Sequence, residues 1–128
     1  MNFSVLTSLY KSNTPVEVRD CFRSISLQTI LPTEVVVIID GPISQDLINE
    51  INFWEDKVNI VKHILPFNRG LANALNIGLS ICKYDYVARI DIDDVCIFNR
   101  FELQINYINN NMYVDILGGQ IETFDDNG

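Results

Sequence analysis

The sequence predicts an α/β fold: a doubly wound, mostly parallel sheet with helices on both faces. Three observations carry that expectation. Short apolar runs alternate with segments whose apolar residues recur at helical spacing, strand after helix after strand, along the whole chain. Glu34-Val35-Val36-Val37-Ile38-Ile39-Asp40 is almost uninterrupted apolar sequence, which suits a strand covered on both faces in the middle of a parallel sheet. Two apolar runs end abruptly in carboxylates, one at Asp40 and one at Asp91, Asp93 and Asp94. In open parallel sheets ligands gather at the carboxyl ends of strands, near the point where strand order reverses.

The elements follow in order. Residues 3–10 read as the first strand, closed by the turn-prone Lys11-Ser12-Asn13. Thr14-Pro15-Val16-Glu17 has the form of a capping box, with Thr14 as N-cap, Pro15 at the first helical position and Glu17 placed to reach back. Val18, Cys21, Phe22 and Ile25 then form one buried stripe. Leu31-Pro32-Thr33 closes the crossover to the second strand, residues 34–40. Ser44 caps a helix carrying Leu47, Ile48, Ile51 and Trp54 inward, and residues 58–63 form the third strand. After the turn Pro66-Phe67-Asn68-Arg69-Gly70, residues Leu71, Ala74, Leu75, Gly78 and Leu79 share a helical stripe, whose small members let the helix approach the sheet closely. Residues 86–90 read as a buried fourth strand, residues 100–110 as a helix with Phe101, Ile105 and Ile108 inward, and residues 115–121 as a fifth strand or its start. With the first strand between the second and the fourth, Tyr10, Asp40 and residues 91–94 open into one crevice.

The chain has 128 residues, 48% of them hydrophobic, enough for a single domain over residues 1–128 with a real core. Nine Lys and Arg against 17 Asp and Glu give a formal net charge of -8, a field that disfavours nucleic acid and anionic membrane. Cys21, Cys82 and Cys96 lack the paired spacing of a zinc site and read as reduced, packed thiols, which fits a cytoplasmic protein. No apolar run approaches membrane-spanning length and the first residues lack signal-peptide character. Those features remain compatible with peripheral attachment of a longer protein to the inner face of a membrane. His63, the only histidine, reads as a surface or strand-end residue, since no Cys or Asp spacing around it suggests a metal or a triad.

Three carboxylates within four residues repel one another unless a cation sits between them. Hard oxygen ligands at a strand end suit Mg²⁺ or Mn²⁺, with open positions left for the oxygens of a phosphate-bearing partner. The plainer alternative is a solvated acidic turn in which Asp93 or Asp94 caps the next helix. No Gly-x-Gly-x-x-Gly follows the first strand and no Walker A sequence occurs, so a metal held by the aspartates would grip phosphates in place of a glycine loop.

In Ser4-Val5-Leu6-Thr7-Ser8-Leu9-Tyr10, Ser24-Ile25-Ser26-Leu27-Gln28-Thr29, residues 34–41, Asn68-Arg69-Gly70-Leu71-Ala72 with Leu75-Asn76-Ile77-Gly78-Leu79, and Arg89-Ile90-Asp91-Ile92-Asp93-Asp94, the chain resembles the Rossmann-like nucleotide-binding half of a family 2 glycosyltransferase of the GT-A fold. Each stretch alone is weak, but their order and spacing are specific. The resemblance implies an inverting enzyme that uses a nucleotide-diphosphate sugar, a UDP-sugar above all, and a saccharide or lipid-linked acceptor in polysaccharide biosynthesis. It places Tyr10 against the donor base, Asp40 on the base or ribose, and Arg69 at the nucleotide. Leu9 and Ile92 count with them as nucleotide-sugar-binding positions. Asp91 and Asp93 match the Asp-x-Asp motif, with Asp93 as the preferred ligand of Mn²⁺ or Mg²⁺, Asp91 assisting at the ribose or metal, and Asp94 positioning the following loop. Ile92 and Asn99 depart from the family, which often has a small residue and a proline there.

In that family the general base follows the fifth strand, so the chain looks truncated and the base is expected beyond residue 128. Asp125 and Asp126 sit in a polar tail without the rigid support that a catalytic carboxylate needs. Ending near a fifth strand would uncover apolar surface and a sheet edge, both of which favour homo-oligomers. Two other readings stand beside this one. Asp91-Ile92-Asp93-Asp94-Val95 also fits the Asp-x-Asp-x-Thr/Val pattern of haloacid dehalogenase-type phosphotransferases, in which the first aspartate is a nucleophile. A short chain on this fold also suits a non-catalytic nucleotide-binding or interaction module.

Overall fold

The computed structural model describes residues 1–119. Its strands are β1 (Ser4–Leu9), β2 (Glu34–Ile39), β3 (Ile60–Ile64) and β4 (Val87–Arg89), and its helices are α1 (Pro15–Ser26), α2 (Gln45–Trp54), α3 (Leu71–Ile81) and α4 (Arg100–Asn110). The sheet order is β3-β2-β1-β4 and every pairing is parallel, so the first strand does lie between the second and the fourth. All six residues of β2 are buried, as a central parallel strand requires.

Alternation along the strands divides the core into two layers. Val5, Leu9, Val35, Val37 and Ile39 pack with Val18, Phe22 and Ile25 of α1, Leu47 and Ile51 of α2 and Phe101 of α4. Leu6, Val36 and Ile38 face the other way, onto Ala74 of α3. The contact with α3 is close: a Cβ at Gly78 would lie 2.3 Å from Leu6 Cδ1 and 3.1 Å from Ile38 Cγ1. Thr14 caps α1 with the full reciprocal box and Ser44 caps α2 through the Leu47 amide, both at the expected positions.

Several details differ from the sequence expectation. β4 is three half-buried to exposed residues rather than a buried run of five, because among the described residues it is the edge of the sheet. Its apolar continuation is nonetheless core, with Ile90 and Ile92 buried beyond the strand end. β3 begins at Ile60, after Asn59 turns at φ 53°. Leu71 and Leu79 are exposed, since Ala74 and Gly78 alone make the buried line of α3. Residues 115–119 are not strand; the remainder of the expected fifth strand, residues 120 and 121, lies outside the described residues, as do Asp125 and Asp126. No helix among the described residues is long and apolar enough to cross a membrane.

Candidate functional site

Parallel pairing puts the carboxyl ends of β2, β1 and β4 side by side at one end of the sheet. At the end of β2, the buried Asp40 is held by both neighbours in space. Its amide donates to the Leu9 carbonyl at 2.8 Å, and its carboxylate accepts from the Arg69 amide at 2.7 Å and the Gly70 amide at 3.1 Å. The Asn68 side chain donates to the Asp40 carbonyl at 3.3 Å. Gly41 makes this clasp possible: it has φ 92°, and a Cβ there would lie 2.7 Å from the Asn68 amide nitrogen. Asp40 therefore ties the end of β2 to the turn before α3, and the exposed Arg69 guanidinium lies 4.9 Å above the Phe67 ring.

β4 pairs with β1 as far as Leu6, and the Ile90 amide donates to the Leu6 carbonyl at 3.1 Å. The chain then alternates buried Ile90 and Ile92 with exposed Asp91 and Asp93, so the bulk of Ile92 goes into the core and both carboxylates face outward. A turn closed by the Asp94 amide on the Asp91 carbonyl at 2.9 Å brings Asp94 round to join them. Carboxylate oxygens of Asp91, Asp93 and Asp94 lie within 4.8 Å of one another. Oxygens bound to one Mg²⁺ at about 2.1 Å lie at most about 4.2 Å apart, so small side-chain rotations would close this set on an ion.

Local charges are consistent with that chemistry. Desolvation, then the charges of Asp93 and Asp91, push the Asp94 carboxyl above its ordinary range, against the opposing pull of Arg100 and Arg89. Arg89 pairs with Asp91 at 2.9 Å. Neither Asp93 nor Asp94 caps a helix, because α4 starts at Arg100 with Asn99 in the N-cap place. The helix-capping alternative is thereby replaced. A groove lined in part by Phe3, Tyr86, Ala88, Ile105 and Ile116 runs beside β4 and includes none of the three carboxylates.

The remaining expected positions divide clearly. Tyr10 is 43% exposed just past β1, whereas the Leu9 side chain is buried and supports the site from beneath, as Ile92 does. His63 is exposed on β3, as expected. Sequence reasoning missed the layer under the acidic turn. Cys21 Sγ lies 3.9 Å from the Asp91 carbonyl, and burial pushes its thiol far above the ordinary range. The Cys96 amide donates to Ser24 Oγ at 3.0 Å, and Gln28 reaches both Ile97 and Phe101. Buried polar residues on an otherwise apolar stripe were the available signal for these contacts.

The glycosyl transferase family 2 model matches residues 4–128. Among curated relatives, an uncharacterised glycosyltransferase of Haemophilus influenzae is 43% identical over 99% of this chain and 48% of its own length. The amylovoran biosynthesis glycosyltransferase AmsE of Erwinia amylovora is 39% identical over 98% of the chain and 47% of its own length. The UDP-Gal:alpha-D-GlcNAc-diphosphoundecaprenol beta-1,3-galactosyltransferase of Escherichia coli is 38% identical over 98% and 46%. The chain thus spans just under half the length of these three. Of solved structures, S. aureus TarS 1-349 in complex with UDP-GlcNAc superposes with a TM-score of 0.78 at 23% identity, over 88% of this chain and 32% of that one. The mannosyltransferase PcManGT of Pyrobaculum calidifontis, in complex with GDP-Man and Mn²⁺, gives 0.63 at 21% identity, over 73% and 28%. These two establish a shared fold. With a family match that runs from Ser4 to the final residue and relatives of about 40% identity along nearly all of it, the chain belongs to glycosyl transferase family 2.

Proposed function

We propose that this chain binds a nucleotide-diphosphate sugar, a UDP-sugar, through a divalent ion held by Asp93 and Asp91, for inverting transfer to a saccharide or lipid-linked acceptor in polysaccharide biosynthesis. The observation that carries this reading is the convergence of three carboxylates at the end of β4, beside the end of β1. The names of the Erwinia and Escherichia relatives support the pathway class and the UDP-linked donor, and the Mn²⁺ of the Pyrobaculum complex supports the ion. The phosphotransferase and non-catalytic readings have no comparable observation behind them.

When bound, Mn²⁺ or Mg²⁺ supplies Lewis-acid stabilisation of the departing diphosphate. The chain's own residues bind and orient. Asp93 and Asp91 hold the ion, and the Arg89 contact fixes one Asp91 oxygen. Tyr10 offers a ring face to the base. Asp40 retains acceptor capacity for the base or ribose after its two amide bonds, because each carboxylate oxygen has two lone pairs. The turn held by Asp40 presents Arg69 to the nucleotide.

Calorimetric titration of UDP in Mn²⁺ and in chelator tests the reading. Binding should be tight in Mn²⁺ and weak in chelator, and Asp93→Asn should remove most of the difference while the far-ultraviolet circular dichroism stays unchanged. Equal affinity in Mn²⁺ and in chelator would overturn it.

A further inference from the structure

We propose that Gln28, with Ser24 behind it, is the positioning residue that sets the spacing of the Asp91, Asp93 and Asp94 carboxylates; the inference rests on the metal reading above. Gln28 sits just past the end of α1 and is only 6% exposed. Its amide nitrogen donates to the Ile97 carbonyl at 2.6 Å and to the Ser24 carbonyl at 3.2 Å, and its amide oxygen accepts from the Phe101 amide at 3.2 Å. Asn99 makes no side-chain cap on α4, so Gln28 satisfies one of the unpaired amides of that helix's first turn from another element. Ser24 Oγ donates to the Cys21 carbonyl at 2.7 Å and accepts from the Cys96 amide at 3.0 Å. The Thr29 amide adds a bond to the Phe98 carbonyl at 2.9 Å.

The bonds to Cys96, Ile97, Phe98 and Phe101 join α1 or its C-terminal turn to the segment after the acidic turn and the first turn of α4, and the bonds to the Ser24 and Cys21 carbonyls hold Gln28 and Ser24 in place to make them. The carboxylates themselves are exposed, and among the described residues their one side-chain tether is Arg89, on Asp91. Their spacing is therefore inherited from the backbone of residues 91–101, whose far end is fastened at Cys96, Ile97, Phe98 and Phe101. Loosening that end leaves the ligands in place in the sequence but lets them spread. Outer-shell groups that orient metal ligands typically contribute about 10–100-fold in metal affinity.

The test compares the wild-type whole protein with Gln28→Leu and Gln28→Glu. Mn²⁺ affinity is read by electron paramagnetic resonance, UDP affinity by calorimetry in chelator, and amide hydrogen exchange at Ile97 to Phe101 by mass spectrometry. Gln28→Leu should speed exchange in that segment, lower Mn²⁺ affinity about 10–100-fold and leave UDP affinity in chelator unchanged. Gln28→Glu keeps an acceptor for the Phe101 amide but sets a carboxylate against the Ile97 carbonyl, and should lower Mn²⁺ affinity with less effect on exchange at Phe101. Unchanged Mn²⁺ affinity in both variants, or an equal loss of chelator-state UDP affinity, would overturn the positioning role. A wild-type protein that binds no Mn²⁺ would instead overturn the metal reading and this inference with it, even with the exchange differences intact.

Discussion

Asp94 registers the crowding of the acidic turn in its own titration. Its folded-state pKa lies above the ordinary value of 3.8, chiefly through desolvation and then through Asp93 and Asp91. A carboxyl with a raised folded pKa binds its proton more tightly in the native state, so in the metal-free protein its charge opposes folding at neutral pH. That penalty is relieved as pH falls through the folded pKa toward 3.8. Asp94→Asn should therefore raise the urea midpoint of the metal-free protein at neutral pH, with a gain that shrinks in mildly acidic buffer and is offset by weaker Mn²⁺ binding. Urea titrations at two pH values in chelator check the sign. At this scale the convergence of Asp91, Asp93 and Asp94 was legible in the sequence, because three carboxylates within four residues at the end of an apolar run must share one turn. The contacts of Gln28 and Ser24 were not legible, because they are made to a segment about seventy residues away, and the Leu9 side chain is turned inward by strand periodicity.

Elements were legible wherever the physics is local. The capping box of α1, the Ser44 cap of α2 and the span of α4 all fell where side-chain chemistry and periodicity put them. β4 was read too long and too buried because burial of an edge depends on what lies beside it. The clasp between β2 and the turn before α3 was unforeseen, since it needs the conformation of Gly41 as well as the charge of Asp40. Gly41→Ala should cost about 1–3 kcal/mol from backbone strain alone, more once the contact with the Asn68 amide is included, and should weaken nucleotide binding by displacing Arg69. Denaturant midpoints and UDP titration on the same sample separate the two effects.

At the scale of the whole molecule, the chain is acidic overall, yet the described residues carry large apolar side chains around α4 and beside β4, the edge strand among the described residues; Leu103, Tyr107, Tyr86 and Ile116 are among them. Unpaired strand edges and contiguous apolar surface both favour association. The 128-residue chain on its own should form dimers or larger species at high concentration, with little dependence on salt because the contact is apolar. Light scattering that finds only monomer across the concentration range would count against this.

The sheet order also dictates a timetable for synthesis. β1 is the first strand to leave the ribosome, yet its partners on either side are β2 and β4, and Ser4 must wait for Val87 to complete its pairing. Such long-range parallel closure is slow, because the entropy of joining distant segments is lost before the contacts reward it. Until residues 87–89 arrive, β1 can pair with β2 alone, and the edge of β1 that β4 takes in the finished sheet has no strand to meet it.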